Sequence, residues 1–390
     1  MLFRALVLST VAALTACGGG NSESSPQPQA QARLQQAADG AIVSGLAGVA
    51  IEHLSAADTT QALAGLRQVG ATPKVQAGDA FMIGSTTKAM TSALAGRLVE
   101  QGRIGWATTL ADALPDLAAA MKPVYRGITL EQLLSHRGGL PAFTGVDDVA
   151  RFQAYLLAQT APLPATPLGR ERFFAAWLLA QDPPTGVTPG QTFVYSNAGY
   201  ALAALMLETR TGRAFADLFE QELAKPLGMT VTWTLADATF VNRPVGHVGA
   251  RGGLKPLPPE DADTAAWLDV LRASGQGTTI SPDSYATWVR WHLRALRGEV
   301  TPLPSSYVQR LQALKAGDYA LGWIAADIDG RAVLVHNGAD RGFSSLLVVD
   351  TRGRSASFAF TNSEADDGAW VLSALNETLL AIERALPPTT

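Results

Sequence analysis

Strand-forming patterns lie near both ends of this 390-residue chain, and a long helical block separates them. The strand patterns fall within 48–83 and 319–361, where short runs of β-favouring residues are bounded by turns. Strands this far apart in sequence can share one sheet only if the helical block is an insertion. We therefore predict one α/β lobe built from residues 37–88 and 297–385, with an inserted all-α lobe over 89–296. A cleft between two lobes is a preferred place for a small-molecule site.

A serine lies at the start of the first long helical pattern. Residues 81–83 read as a short strand, Gly84 allows a turn, and the spacing predicts a helix over 86–101. Ser85 and Lys88 are three residues apart and so share a helix face. A serine hydroxyl needs a nearby base or cation to act as a nucleophile, and a helix N-terminus adds a partial positive charge. The pair fits an activated nucleophile, although a Ser-x-x-Lys match is common and a serine at a helix start is usually an N-cap.

The segment Tyr195-Ser-Asn197 complements this pair at a predicted loop-to-helix boundary. Beside a lysine ammonium, the Tyr195 phenolate would be favoured, and it could take the serine proton or pass it to a leaving group. Asn197 could hydrogen-bond Lys88 and a substrate amide. The structural alternatives are a buried tyrosine with a satisfied hydroxyl and an asparagine N-cap.

A second complementary segment, His336-Asn-Gly-Ala339, ends an apolar strand. Gly338 would let a substrate approach the strand edge without side-chain obstruction. The backbone N–H groups of Ser85 and Ala339 could then form an oxyanion hole. The alternative is a strand that simply ends in an Asn-Gly turn. His136, in the last turn of another predicted helix, is expected to satisfy carbonyl groups or the helix dipole rather than to act in catalysis.

Several other chemistries lack their sequence signatures. There is no Gly-x-Ser-x-Gly elbow, no His-Glu-x-x-His and no Gly-x-x-x-x-Gly-Lys-Ser/Thr loop. The five histidines do not cluster, and the single cysteine lies in the N-terminal segment, so we expect no metal site. A net charge of −4 without a basic, aromatic-interleaved run argues against a nucleic-acid partner.

The three segments, in this order, resemble the three motifs of class C-type serine β-lactamases and penicillin-recognising enzymes. The similarity extends over about residues 40–380 through further, non-catalytic signatures: 133–141, 226–229, 319–323 and 342–345. The resemblance implies a β-lactamase/transpeptidase-like α/β (α+β) fold, with an antiparallel sheet flanked by helices and an active site between the lobes. It also implies a ping-pong acyl-enzyme mechanism without a cofactor. Ser85 attacks a carbonyl, Lys88 and Tyr195 handle the proton in an order that stays open, and water releases the acyl group.

The third motif departs from the β-lactamase pattern. Where β-lactamases usually carry Lys-Thr-Gly, this chain carries His336 and Asn337 before Gly338. A histidine of ordinary pKa is mostly neutral at pH 7, so the charge facing a substrate carboxylate is weakened unless Arg341 restores it. Within the family that the chain resembles, His-x-Gly at this position is frequent in esterases and in some D-alanyl-D-alanine peptidases, so the resemblance implies a hydrolase of the esterase or D-alanyl peptide hydrolase type. A true β-lactamase, or a non-catalytic protein of this fold that recognises cell-wall peptides, remains the alternative.

The N-terminus carries a targeting pattern. A positive charge, a short apolar run and Leu14-Thr-Ala-Cys17 resemble a bacterial lipoprotein signal, which predicts a signal peptide over 1–16 and lipidation of Cys17. The Gly/Ser/Pro/Gln-rich residues 17–36 predict a flexible tether. Gly18 after the cysteine favours, by analogy, the outer membrane of the cell envelope and a periplasmic location. The alternative is an ordinary secretory signal with an incidental cysteine.

Overall fold

The computed structural model describes residues 26–233 and 243–387. The helices are α1 Pro26–Val43, α2 Thr87–Glu100, α3 Leu110–Ala113, α4 Pro123–Arg126, α5 Leu130–Leu134, α6 Val146–Leu157, α7 Pro167–Leu179, α8 Asn197–Thr211, α9 Phe215–Leu218, α10 Lys225–Leu227, α11 Ala262–Leu268, α12 Pro282–Leu296, α13 Ser305–Gln312 and α14 Trp370–Ala385. The strands are β1 Gly48–Ser55, β2 Thr59–Gly65, β3 Phe81–Met82, β4 Val231–Trp233, β5 His247–Gly249, β6 Lys255–Pro256, β7 Thr278–Ile280, β8 Tyr319–Ala320, β9 Trp323–Ile328, β10 Arg331–Asp340, β11 Phe343–Asp350, β12 Ser355–Thr361 and β13 Glu364–Ala365.

The main sheet joins the two ends of the chain, as the sequence predicts. Its strand order is β2-β1-β12-β11-β10-β9-β8, and its neighbouring strands pair antiparallel. The junction lies between β1 and β12, where Val49 pairs with Thr361. Helices cover both faces, which explains why β11 and β12 are buried along their whole length.

Side chains alternate between the two covered faces of this sheet. On β12, Phe358 and Phe360 belong to the larger core, whereas Ala359 belongs to the cluster formed with α1 and α14. On the larger-core side, Tyr285 of α12 packs its ring 5.0 Å from each of those two phenylalanines. Helix α12 therefore belongs to the sheet-containing part, so the predicted lobe boundary at 296/297 is wrong by the length of this helix.

The inserted block is also not purely helical. Two of its short strands, β4 and β7, form a small sheet with β3 in the order β3-β7-β4, and β5 and β6 join β13 in another. In the first of these sheets, Phe81 pairs with Ile280. This pairing places the loop that precedes β7 beside the segment that carries Ser85.

The predicted tether ends earlier than the sequence composition indicated. Residues 26–43 form α1, and Leu34, Ala38 and Ala41 are buried against the sheet and α14. These three positions recur at i, i+4 and i+7, so one narrow apolar stripe suffices to pack a helix that is otherwise rich in Gln and Ala. The tether prediction is therefore wrong for 26–36. The predicted signal peptide, Cys17 and the rest of the tether lie outside the described residues.

Across the described residues, no helix combines the length and apolar composition needed to cross a membrane.

Candidate active site

Ser85 lies in a short 3-10 turn between β3 and α2. The preceding Gly84 has a φ of 51°, and a Cβ on it would come within 2.7 Å of Ala339 backbone atoms. Glycine is required here both for its left-handed conformation and for this close contact. Ser85 is partly exposed while Lys88 beneath it is fully buried, so the hydroxyl is accessible and the amine is not.

Lys88 is held by three oxygen atoms, none of which carries a charge. Its Nζ lies 3.0 Å from Ser85 Oγ, 2.7 Å from Asn197 Oδ1 and 2.8 Å from the Ser274 carbonyl oxygen. Burial lowers the Lys88 pKa well below its ordinary value, because desolvation penalises the ammonium form. A neutral amine keeps a lone pair that can accept the Ser85 proton, so Lys88 has the chemistry of a general base.

Tyr195 is hydrogen-bonded to Ser85 through its hydroxyl, and its ring centroid lies 4.8 Å from Lys88 Nζ. Although part of the side chain is exposed, desolvation around the hydroxyl raises the Tyr195 pKa, and the bond to Ser85 only partly opposes this. The expected phenolate is therefore wrong: the phenol stays protonated. In that form Tyr195 is a proton donor.

Asn197 begins α8, and its side chain is fixed at both ends. Its Oδ1 accepts from Lys88, and its Nδ2 donates to the Phe143 carbonyl at 2.8 Å. The N-cap of α8 is Ser196, whose Oγ accepts from the Gly199 amide at 3.1 Å. The predicted bond between Asn197 and Lys88 is confirmed, and the N-cap alternative for Asn197 is excluded.

His136 supports this second segment from behind. Its Nδ1 accepts a hydrogen bond from the Ser196 amide at 3.0 Å, and its ring centroid lies 4.1 Å from that of Tyr195. Burial lowers the His136 pKa well below its usual value, so the ring is neutral. The role is structural, as expected, but the partner is an amide rather than a carbonyl or the helix dipole.

The third motif lies on β10 where this strand runs past the end of β9. Pairing with β9 ends at Val335, and residues 336–340 continue beside the Ser85 segment. A Cβ on Gly338 would lie 2.0 Å from the Ile83 carbonyl oxygen and 2.9 Å from the Ser85 amide nitrogen. Gly338 is therefore needed for contact with the nucleophile segment itself, whereas the sequence suggested contact with substrate. Ala339 is exposed next to Ser85, which fits the predicted oxyanion-hole pair.

His336 is buried and carries no charge at neutral pH. Burial lowers the His336 pKa to about 3. Its Nε2 lies 3.1 Å from the Tyr319 hydroxyl and its Nδ1 lies 2.5 Å from the Asn337 carbonyl oxygen. These partners assign the proton to Nδ1, so Tyr319 donates to Nε2.

Arg341 does not supply the cation that is missing from the third motif. Its guanidinium forms an ion pair with Glu260 and donates to the Pro258 carbonyl at 2.8 Å. Its charge is thus engaged by the segment that follows β6.

Sequence patterns missed two participants in the site. The Ser274 carbonyl carries no side-chain signal, because any residue type offers the same oxygen. Tyr319 belonged to a motif that suggested no chemistry, yet it fixes the tautomer of His336. Within 26–233 and 243–387, no group of three or more His, Cys, Asp or Glu side chains could hold a metal ion.

A buried lysine under an accessible serine, with a protonated tyrosine and an asparagine beside them, defines an acyl-transfer site of the penicillin-recognising serine hydrolase class. A family model described as Beta-lactamase matches residues 34–379. The chain therefore belongs to the beta-lactamase family.

Individual proteins show the same relationship. An unguisins hydrolase from Aspergillus violaceofuscus (strain CBS 115571) is 30% identical over 251 residues, which cover 62% of this chain and 41% of that protein. Penicillin-binding protein 4 of Amycolatopsis lactamdurans is 28% identical over 328 residues, covering 78% of each chain. The chain spans less than two thirds of the length of the two unguisins hydrolases it matches.

Solved structures share the fold. A D-stereospecific amidohydrolase from Streptomyces sp. superposes with a TM-score of 0.68 at 23% identity, covering 92% of this chain and 99% of the other. The β-lactamase/transpeptidase-like fold implied by the sequence motifs is thereby confirmed.

Proposed function

We propose that this chain is a serine hydrolase of the cell envelope that cleaves ester or amide bonds of uncharged substrates through an acyl-enzyme at Ser85. The observation that carries the proposal is the 3.0 Å contact between Ser85 Oγ and the buried Nζ of Lys88. Desolvation lowers the Lys88 pKa and the oxygens around it carry no charge, so the neutral amine is favoured, and a serine next to such a base is a nucleophile.

In the acylation step, neutral Lys88 takes the proton of the Ser85 hydroxyl, and Oγ forms a bond to the substrate carbonyl carbon. The carbonyl electrons move to its oxygen, which the backbone amides of Ser85 and Ala339 stabilise. When the tetrahedral intermediate collapses, the leaving group takes the Tyr195 hydroxyl proton. Lys88 then passes the proton that it took from Ser85 to Tyr195. Deacylation repeats this sequence in reverse, with water in place of the leaving group.

The charge of the third motif supports uncharged substrates. His336 is neutral and bonded to Tyr319, and Arg341 is paired with Glu260. A carboxylate on the leaving-group side would lose hydration without gaining a cation there. Amides, esters and peptides without a nearby free carboxylate avoid this penalty. The names of two relatives, an unguisins hydrolase and a D-stereospecific amidohydrolase, support hydrolysis as the type of reaction.

The decisive experiment compares the wild type and Ser85→Ala on a panel of p-nitrophenyl esters, D- and L-amino acid amides, D-alanyl-D-alanine peptides and a chromogenic cephalosporin. We expect wild-type turnover of esters and uncharged D-configured amides, and none in the variant. A fluorophosphonate probe should label the wild type alone. Equal turnover or labelling in both proteins would contradict the assignment of Ser85.

The same panel separates the competing functions. Fast cephalosporin hydrolysis would identify a β-lactamase, and saturable binding of wall peptides without a covalent adduct would identify a non-catalytic recognition protein. His336→Lys should shift the preference toward carboxylate-bearing substrates. An unchanged ratio of anionic to neutral ester turnover would contradict the position assigned to His336 beside the substrate.

The envelope location in this proposal rests on the sequence alone. The apolar run that ends at Leu14-Thr-Ala-Cys17 supports lipid attachment at Cys17, and Gly18 supports the outer membrane. The test is metabolic labelling with a fatty-acid analogue, followed by membrane fractionation, of the wild type and Cys17→Ser. Equal labelling and sedimentation of both would contradict the anchor.

A further inference from the structure

Asp340 is a buried carboxylate at the end of the strand that carries the third motif. It lies on the same face of β10 as His336 and Gly338, because side chains alternate along a strand. Both of its oxygens accept hydrogen bonds from one loop. Gln276 Nε2 donates to Oδ1 at 2.7 Å, and the Gly277 amide donates to Oδ2 at 2.7 Å.

The same loop also contacts the nucleophile segment. It begins at Ser274, whose carbonyl accepts from Lys88 at 2.8 Å. Gly275 has a φ of 120°, and a Cβ on it would lie 2.1 Å from the Gly84 carbonyl oxygen. The loop ends at Thr278, whose carbonyl accepts from the Ile83 amide at 3.0 Å. Three successive contacts therefore fix the loop against the residues on either side of Ser85.

The end of β10 contacts this segment independently, through Gly338 and Ala339. Three backbone pieces thus meet around Ser85: its own turn, the loop 274–278 and the strand end 338–340. The turn touches each of the other two, and Asp340 is the side chain that bonds the loop to the strand end. This link fixes the position of the Ser274 carbonyl, which accepts from Lys88, relative to the Ala339 amide.

We propose that Asp340 is a positioning residue for acylation, whose ionised carboxylate joins the loop that holds Lys88 to the strand end that supplies the oxyanion-hole amide. It touches none of the reacting atoms. Its effect reaches them through Ser274 and Ala339.

The surroundings of Asp340 make this link sensitive to pH. Burial raises the Asp340 pKa to about 7, Glu364 of β13 adds to the rise, and the Gly277 amide opposes it. The other titratable groups near it are the Arg341–Glu260 pair and the amine of Lys88, which bonds the same loop, while His336 on its own strand is neutral. Below pH 7 the carboxylate becomes a neutral acid. Its bonds to Gln276 and Gly277 then lose the charge assistance that makes such bonds about twice as strong.

Asparagine reproduces the protonated acid, since its amide has the same shape and no charge. After rotation of the Gln276 amide, the substituted Asp340→Asn side chain can still form both bonds. Asp340→Ala removes both bonds at every pH. The two variants therefore separate the contribution of the charge from that of the hydrogen bonds.

The test measures the second-order rate constant for fluorophosphonate labelling of Ser85 from pH 5.5 to 8.5. The inference rests on Ser85 being the nucleophile, so an unlabelled wild type would refute the proposed function instead. We expect the wild-type/Asn rate ratio to rise from about 1 at pH 5.5 to about 10 at pH 8.5, a change equivalent to one pKa unit of free energy. Asp340→Ala should be slower by about 10- to 100-fold throughout this range, as expected for a displaced catalytic group.

The rate ratio cancels the titration of Lys88, which both proteins share. The control is Asp350→Asn, which alters a buried carboxylate at the far end of β11 that is bonded by Arg354 at 2.8 Å. Its ratio to the wild type should stay near 1 at all pH values, even if its melting temperature falls. A flat ratio for Asp340→Asn, or an equal pH dependence for Asp350→Asn, would overturn the proposal.

Discussion

Lys88 is the side chain on which the polar groups of the site converge. Its amine is fully buried, and its pKa lies well below the ordinary value because of desolvation. The unfolded chain binds the ammonium proton of Lys88 more tightly than the folded protein does. The free energy of unfolding therefore decreases as the pH falls from 10.5 toward the folded-state pKa of Lys88. The reactive neutral amine is lost over the final part of the same fall. Burial of Lys88 therefore lowers the free energy of unfolding, and it keeps the amine available as a base.

Replacing this amine tests its role directly. Lys88→Ala should slow fluorophosphonate labelling of Ser85 by about 10²- to 10⁴-fold, the usual contribution of a general base. Circular dichroism should show that the variant remains folded. Labelling of a folded Lys88→Ala protein at the wild-type rate would mean that another group takes the serine proton.

Tyr195→Phe should separate the two proton transfers. Because the Tyr195 pKa is raised, its hydroxyl serves as an acid for the leaving group rather than as a base for Ser85. A p-nitrophenolate leaves without a proton, whereas an amine does not. We expect kcat/KM for amides to fall by about 10²-fold or more, and that for p-nitrophenyl esters to fall much less. Equal losses on both substrate types would assign Tyr195 to the attack step.

The predictability of the site differs from residue to residue. Ser85, Lys88, Asn197 and the His336 strand follow from side-chain motifs, and the structure brings them together. The protonation state of Tyr195 does not follow, because sequence shows its charged neighbour but not its desolvation. The carbonyl of Ser274 is likewise invisible, since a backbone oxygen is common to every residue type.

At the scale of elements, the contact between β10 and the Ser85 turn fixes the position of the nucleophile relative to the third motif. The glycines on both sides of this contact leave no room for a Cβ. Sequence predicted the strand from its β-favouring residues and bounding turns, and the helix that follows the Ser85 turn from the spacing of its apolar residues. It did not predict that the glycine of the third motif faces Ile83 and Ser85, because packing partners far apart in the chain leave no local signal.

Gly338→Ala tests this contact. Its methyl group would lie 2.0 Å from the Ile83 oxygen, so either β10 or the Ser85 turn has to move. A shift of about 1 Å at the catalytic groups should lower labelling by about 10²-fold. Gly40→Ala is the control: this glycine lies in α1 with nothing within 4 Å of the added Cβ, so it should be neutral or slightly stabilising. Wild-type activity in Gly338→Ala would show that the contact is dispensable.

At the scale of the whole molecule, α1 shows where composition misleads. A segment rich in Gln and Ala was predicted as tether, yet one stripe of three small or medium apolar residues packs it onto the sheet. The overall order of strands, inserted block and strands was predictable because it depends on segment type alone. The lobe boundary was not, because α12 is as amphipathic as α6 of the insertion, and amphipathicity does not show which neighbour a helix packs on.

Leu34→Ala measures the packing of α1. Leu34 is fully buried against α14 and the sheet, so the substitution should lower the free energy of unfolding by about 2–5 kcal/mol in urea titrations. Leu157→Ala, at an exposed position of α6, should change it by less than about 0.5 kcal/mol. Equal, small effects of both would restore the tether interpretation for this segment.

The pairing of β1 with β12 also has a consequence for biosynthesis. The Gly48 carbonyl accepts a hydrogen bond from the Thr361 hydroxyl, which lies 313 residues later in the chain. At roughly 5–20 residues per second, the ribosome needs on the order of 15–60 s to supply it. During that interval β1 and β2 have an unpaired edge that can associate with other nascent chains. The sheet closes only when nearly the whole polypeptide is present, so folding must largely follow synthesis rather than accompany it.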